Sequence, residues 1–232
     1  MSSRDQILGR IRTNLSGHPL RQDAAAADAR LAAHRPNLVP ARAQVDAAGQ
    51  LALFEAKCAA LNVRLTHVPA MHSVPAAIAT CLQQHNLPNR IRMSSAAELT
   101  DLPWDTAPML EPVGGAAEIT DAVSVTPALA AIAETGTLML ASGPETPATL
   151  NFVPDDHIVV LRRSRLRGTL EEAFADLRAV YGDGNMPRTV NLISGPSRTG
   201  DVEQKIVMGA HGPRRLHILL VEDSDTDAKD PA

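Results

Sequence analysis

Aromatic side chains are nearly missing from this chain, which has three phenylalanines, one tyrosine and one tryptophan among 232 residues. A protein that stacks bases needs aromatic platforms and a basic stripe. Here the net charge is −4, and residues 222–232 carry all of it, with Glu222, Asp223, Asp225, Asp227 and Asp230 against Lys229. The rest of the chain is close to neutral, so no nucleic-acid partner is expected. Cysteine is as scarce. Cys58 and Cys81 cannot form a disulfide framework, and both fall in helical patterns that bury a thiol. Two cysteines are too few for an iron–sulfur cluster, which usually takes about four ligands, so no cluster is expected in this chain. Neither CxxC nor HExxH occurs, and no metal site is expected. No apolar run approaches the ~20 residues of a membrane span. The amino terminus has no signal-peptide core, and a cytoplasmic location is the expectation.

The apolar content of 44% is ordinary for a globular protein, and the length suits one large domain or two small ones. Ser3 to Gln6 fits a capping box, and Ile7, Leu8, Ile11 and Leu15 mark one face of a first helix. Residues 21–35 are Ala-rich and helix-compatible, and Pro36 and Pro40 bracket a linker. Three parts follow: an N-terminal helical arm over 1–45, an α/β domain over 46–221, and an acidic tail over 222–232 that composition predicts to be mobile. Within the domain, helix is expected over 47–61, strand over 63–68 with His67 structural, helix over 74–85 and a short strand over 91–93. This is the α/β rhythm of a layered sheet. Residues 101–115, with Trp104 and the Gly114–Gly115 pair, read as a loop. Thr169 and Glu172 form a capping box for a helix through Tyr181, with Leu170, Phe174 and Leu177 on its buried face.

Two stretches carry most of the chemistry. The first runs from Thr189 to Val221. Residues 189–194 and 216–221 read as buried strands, and Val202, Ile206 and Val207 fall on one face of a helix over 201–208. Strand, loop, helix and strand make a βαβ unit with parallel strands. The loop Gly195–Gly200 would then sit at a helix N-terminus, which suits a phosphate or carboxylate. Gly195 allows close approach, and Ser197, Arg198 and Thr199 offer two hydroxyls and a guanidinium. Asp201 and Glu203 stand in the first turn of that helix, where they repel an anion and cap the helix themselves. An anion site and a well-capped core helix both remain open. On this reading His157 and His211 lie at the other sheet end from Arg198. A helix of about eight residues would also hold Ser197 some ~12 Å from His211, which excludes a Ser197–His211–Asp201 triad.

The second stretch is Ala128 to Ala141, where apolar runs flank Glu134-Thr135-Gly136-Thr137. Two strands joined by a tight turn, with Gly136 at positive φ, is the simplest reading. A bent strand that lets a ligand approach Gly136 is the alternative. A carboxylate between buried runs is either solvated at the turn or paired and perturbed. Glu134 is therefore the leading candidate for a catalytic base or nucleophile, set against a plain turn glutamate. Further on, residues 142–156 form a loop containing Asn151, and His157 opens the apolar run HIVVL.

The stretches AETGTLML and ISGPSRTGDVEQKIVMGAHGPRRLHILLVED resemble the LUD-domain proteins of the lactate-utilization protein C (LutC/YkgG) family. The order agrees: Ala133 to Thr137, Asn151 to Pro154, His157 with its strand, Gly195 to Thr199, then Gly209 and His211 to Arg215. The first helix, SRDQILGRIR, is also similar, and Gly200 stands where alanine is expected. The resemblance implies a fold similar to the NagB/RpiA/CoA-transferase superfamily: a mostly parallel twisted sheet with helices on both faces. It also implies a part in oxidising L-lactate to pyruvate beside two iron–sulfur cluster-bearing partners. The expectation is a non-cluster subunit of such a system, with a small anionic substrate or cofactor at the 195–200 loop. The alternative is a free-standing small-molecule enzyme using Glu134 and Arg198. Whether the chain is an enzyme at all, and which cofactor it takes, is left open.

Overall fold

A computed structural model describes residues 2–16, 24–35, 37–202, 205–209 and 211–222. They fall into two units, Met1–Leu38 and Val39–Ala232. Glu203 and all of the acidic tail after Glu222 lie outside the described residues.

The first unit holds α1 (Ser3–Ser16) and α2 (Ala24–Ala33). Its cap stands one residue earlier than the sequence suggested. The Asp5 backbone N–H donates to Ser2 Oγ, and the Ser2 hydroxyl donates to Asp5 Oδ2 at 2.8 Å. Ile7, Leu8, Ile11 and Leu15 are all exposed on α1.

The second unit opens with α3 (Ala47–Ala60), capped by the Asp46 side chain, which accepts from Gly49 N–H. Then come β1 (Arg64–Val68), α4 (Val74–Gln84), β2 (Arg90–Met93), α5 (Ala97–Thr100), β3 (Glu111–Gly114) and β4 (Val123–Pro127). A hairpin of β5 (Ala130–Ile132) and β6 (Thr137–Ala141) precedes β7 (Asp156–Arg162), β8 (Leu166–Arg167) and α6 (Leu170–Tyr181). The chain continues through β9 (Val190–Ile193), β10 (Arg198–Val202), β11 (Lys205–Met208) and β12 (Arg215–Val221).

Six strands form one parallel sheet in the order β1-β12-β7-β4-β2-β3. Its central strands are apolar on both faces, as a sheet covered on both sides requires. Val125, Ile158, Val160 and Leu219 pack beneath α4. Val159, Leu161, Ile218 and Leu220 face the other way, onto Phe54 and Cys58 of α3 and onto a second, four-stranded sheet. That sheet runs β8-β5-β6-β9. The period of two sorts its side chains: Ala131, Leu138 and Leu140 face the parallel sheet, while Ala130, Ile132 and Met139 face Ala173 and Leu177 of α6. The Thr169–Glu172 capping box holds, Leu177 is buried, Phe174 is partly buried, and Leu170 stays exposed.

The 189–221 stretch is not a βαβ unit. Arg198–Val202 and Lys205–Met208 form the antiparallel pair β10–β11 where a helix was expected. β9 pairs antiparallel with β6, in a different sheet from β12. Val202, Ile206 and Val207 satisfy a helical period, but Lys205–Met208 is also a short run with adjacent β-branched residues, and periodicity cannot separate the two at that length. The 195–200 loop therefore precedes no helix. Asp201 lies in β10, not in a helical first turn.

Candidate functional site

The site is built where polar residues precede apolar strands. β1, β7 and β12 lie side by side, and each carries charged or imidazole side chains at its amino end: Arg64, then Asp156 and His157, then Arg215 and His217. The interiors of β7 and β12 behind them are apolar, and the parallel register places these residues on one edge of the sheet. They border a cavity of about 460 Å³. Arg214, Pro196 and Arg198 complete it from the adjoining loops, and Cys81, His85 and Leu87 from the carboxyl end of α4.

Charge in this cavity is unbalanced. Four arginines line it against one carboxylate. Arg215 grips Asp156 through both Nε and Nη2, a bidentate fork, and that bond raises the Arg215 pKa further. Arg214 holds Asp155 loosely, at 3.6 Å, with both side chains more than half exposed. Arg64 donates to the neutral Gln84 Oε1 at 3.1 Å. Arg198 Nη2 donates to the Leu61 carbonyl at 2.8 Å, where it satisfies the end of α3.

The histidines contribute no charge near neutral pH. Burial pushes His157 down from 6.5 to about 3. Burial, and then the nearby Arg64, push His217 down to about 4. Burial lowers His85 too, with Arg64 and Arg215 adding to it. Burial also lifts the Cys81 thiol to about 11, so it keeps its proton. Cys81 Sγ lies 2.7 Å from His217 Nδ1, and His217 Nε2 lies 2.9 Å from Thr66 Oγ1, so either tautomer of this imidazole has a partner at both nitrogens. His157 Nε2 meets Thr126 Oγ1 at 2.7 Å. Its Nδ1 is buried and has no hydrogen-bond partner among the described residues. An unpaired buried ring nitrogen is costly, and a ligand group of either polarity can satisfy it.

The 195–200 loop reaches this cavity by a route the sequence did not suggest. The β10–β11 hairpin folds back on itself, so its two ends meet. Ser197 N–H donates to the Pro213 carbonyl at 2.8 Å, and Gly209 N–H donates to the Ser197 carbonyl at 3.0 Å. His211 N–H donates to Ser197 Oγ at 3.3 Å. Ser197 and His211 are thus neighbours, not a helix length apart, but through the His211 backbone. A hairpin returns to its start, whereas a helix carries its end away. For the same reason His157 and Arg198, expected at opposite sheet ends, line one cavity. Gly195 adopts φ +107 where this loop turns beside Leu61. Thr199 lies in β10.

Glu134-Thr135-Gly136-Thr137 is a tight turn between β5 and β6, with Gly136 at φ +67. A Cβ on Gly136 would come within 2.6 Å of Lys57 Cβ, so the glycine lets the turn sit against α3, not against a ligand. Thr135, Thr137 and Ser194 form a chain of hydroxyls at 2.7 and 2.5 Å. Glu134 is ion-paired with Arg42 at 2.8 Å and is not among the residues lining the cavity. Asn151 is buried in a turn outside the cavity. Arg64, Cys81, Asp156, Arg214, Arg215 and His217 were missed by sequence reasoning. The one available signal was polar residues set immediately before apolar strands, as in Arg214-Arg215 before LHILLV and Asp156-His157 before IVVL.

Among the described residues, no three His, Cys, Asp or Glu side chains are grouped to hold a metal ion, and no helix is long and apolar enough to cross a membrane. Residues 119–221, which supply β4 through β12, match the model of the LUD domain. An uncharacterized protein of Neisseria meningitidis is 44% identical over 39% of this chain and 38% of its own length. Lactate utilization protein C of Shouchella clausii is 34% identical over 46% of each chain. The chain thus covers less than half the length of these two relatives. The uncharacterized protein YkgG of Escherichia coli is 29% identical over 96% of this chain and all of its own. The crystal structure of a DUF162 family protein from Deinococcus radiodurans superimposes with a TM-score of 0.59 at 28% identity, covering 76% of this chain and 99% of that one. Residues 119–221 of this chain are thus similar to a LUD domain.

Proposed function

We propose that this protein serves in lactate utilization, as the cluster-free member of a cytoplasmic system that oxidises L-lactate to pyruvate beside iron–sulfur partners. Its own part is to bind a small anion in the arginine cavity at the amino edge of the parallel sheet. The observation that carries this reading is the cavity itself, where Arg64 and Arg198 meet only neutral acceptors among the described residues. Guanidinium groups without a carboxylate, beside uncharged imidazoles, favour an anionic guest with hydrogen-bonding groups. The similarity to lactate utilization protein C supplies the metabolic setting.

A free-standing enzyme using Glu134 as base and Arg198 as clamp finds less support. Glu134 already has Arg42 as its partner and lies outside the cavity that Arg198 lines.

The test is growth on L-lactate as sole carbon source, in a strain whose copy of this protein carries both Arg64→Ala and Arg198→Ala. Lost growth with normal protein level is expected. Wild-type growth with the double variant removes the cavity from the function, and failure to co-purify with co-expressed cluster proteins removes the assembly.

A further inference from the structure

The proposed anion site carries more positive charge than a monocarboxylate can match. Its lining holds four guanidinium groups and one carboxylate. Asp156 is consumed by Arg215. The carboxyl ends of α3 and α4 reach this edge, where Leu61 takes Arg198 and Gln84 takes Arg64. Asp155 likewise answers Arg214, so among the described residues Arg64 and Arg198 are the two lining guanidinium groups that meet no carboxylate, with only the partial negative charge of a helix end beside each.

Size points the same way. A cavity of about 460 Å³ falls in the usual range for ligand pockets of roughly 300–1,000 Å³, which suits molecules much larger than a three-carbon acid. His157 lines the cavity as an uncharged imidazole, so it adds nothing to the positive charge of the arginines.

Resting on the anion-site reading, we infer that the cavity at Arg64, Arg198 and His157 takes a small dianion of the phosphate-ester class, not lactate or pyruvate. A phosphate monoester carries close to two negative charges near neutral pH and three strong acceptor oxygens. It can therefore engage both uncommitted guanidinium groups at once, which a single carboxylate would leave partly uncompensated.

Calorimetric titration at matched ionic strength tests this, with inorganic phosphate, succinate, L-lactate and pyruvate as probes. Phosphate is expected to bind about tenfold or more tighter than the other three, as one extra charge-assisted contact allows. The Arg64→Ala/Arg198→Ala variant should lose that binding while its circular dichroism stays that of wild type. Lactate or pyruvate binding as tightly as phosphate overturns the inference and leaves the anion-site reading standing. Equal binding of succinate overturns the phosphate class alone. No phosphate binding, or phosphate binding unchanged in the variant, overturns the inference outright. The growth experiment on lactate reads the wider function separately from all of these.

Discussion

The two edges of the parallel sheet each carry a cavity, and they treat charge in opposite ways. At the amino edge, Arg64 and Arg198 face about 460 Å³ of space with only neutral partners among the described residues. At the carboxyl edge, beyond the ends of β2, β4 and β7, a cavity of about 580 Å³ is lined by Pro127, Ala128, Glu98 and Arg165. There Glu98 binds Arg165 at 3.0 Å and lies 3.7 Å from Arg162, and Arg165 also donates to the Ala128 carbonyl at 2.7 Å. Every one of those charged groups already has a partner. Open parallel sheets generally bind ligands at the carboxyl edge. Here the guanidinium groups that meet no carboxylate among the described residues sit at the other one, while Glu145 adds a negative charge to the carboxyl-edge cavity. Topology names a place where a site can form, but uncommitted polar groups decide whether it is one.

Acid should sharpen the difference most. His157 and His217 both have folded pKa values, about 3 and about 4, below the ordinary 6.5. The unfolded chain therefore binds more protons below pH 6.5, and stability falls as pH drops from there toward 4. Each histidine contributes a slope of up to about 1.4 kcal/mol per pH unit in that window. Urea unfolding at pH 7, 6 and 5 should show the loss. In His157→Gln, which cannot titrate, about half of the slope should vanish. An unchanged slope in that variant would locate the acid sensitivity elsewhere.

Asp156→Asn should come next. It breaks a fork whose carboxylate is buried but whose arginine is half exposed. The cost should be about 2 kcal/mol, below the roughly 3–5 of a fully buried pair because solvent screens Arg215. It should also strengthen anion binding by freeing a third guanidinium. Weaker binding in this variant would mean that Asp156 itself touches the ligand.

Glu98→Gln is the mirror experiment at the carboxyl edge. It should cost about 1 kcal/mol and leave Arg165 without the Glu98 carboxylate. If uncommitted charge is what makes a site, this variant gains a weak, salt-sensitive anion site that the wild type lacks. The smallest stability effect belongs to Arg64→Ala/Arg198→Ala, within about 0.5–1 kcal/mol, because both residues are exposed and bond neutral acceptors. A thermal melt separates that small change from the large loss of binding expected of the same variant.

Much of the fold was legible, for local reasons. The Thr169–Glu172 capping box, the Gly136 turn and the HIVVL and HILLV strands each announce themselves within a few residues. The apolar centres of β7 and β12 could only belong to a doubly covered sheet. The β10–β11 pair was misread because Val202, Ile206 and Val207 satisfy two periods at once. That single error moved Arg198 to the wrong end of the sheet and separated it from His157. Most of the site was illegible for a different reason. Arg64, Cys81, Asp156, Arg215 and His217 come from three strands and a helix, and only the order β1-β12-β7 brings them together. No spacing in one sequence encodes that neighbourhood. Glu134 drew notice because a carboxylate between apolar runs must be accounted for, and Arg42 accounts for it.

The most direct test of the central claim is an amide and arginine side-chain nuclear magnetic resonance map of the wild-type protein during titration with phosphate and, separately, with L-lactate. The account predicts that phosphate shifts the signals of Arg64, His157, Arg198 and His217 together and saturably, and leaves Glu98, Thr146 and Arg165 unmoved. Shifts gathered at Glu98, Thr146 and Arg165 would contradict it, and would return the site to the carboxyl edge.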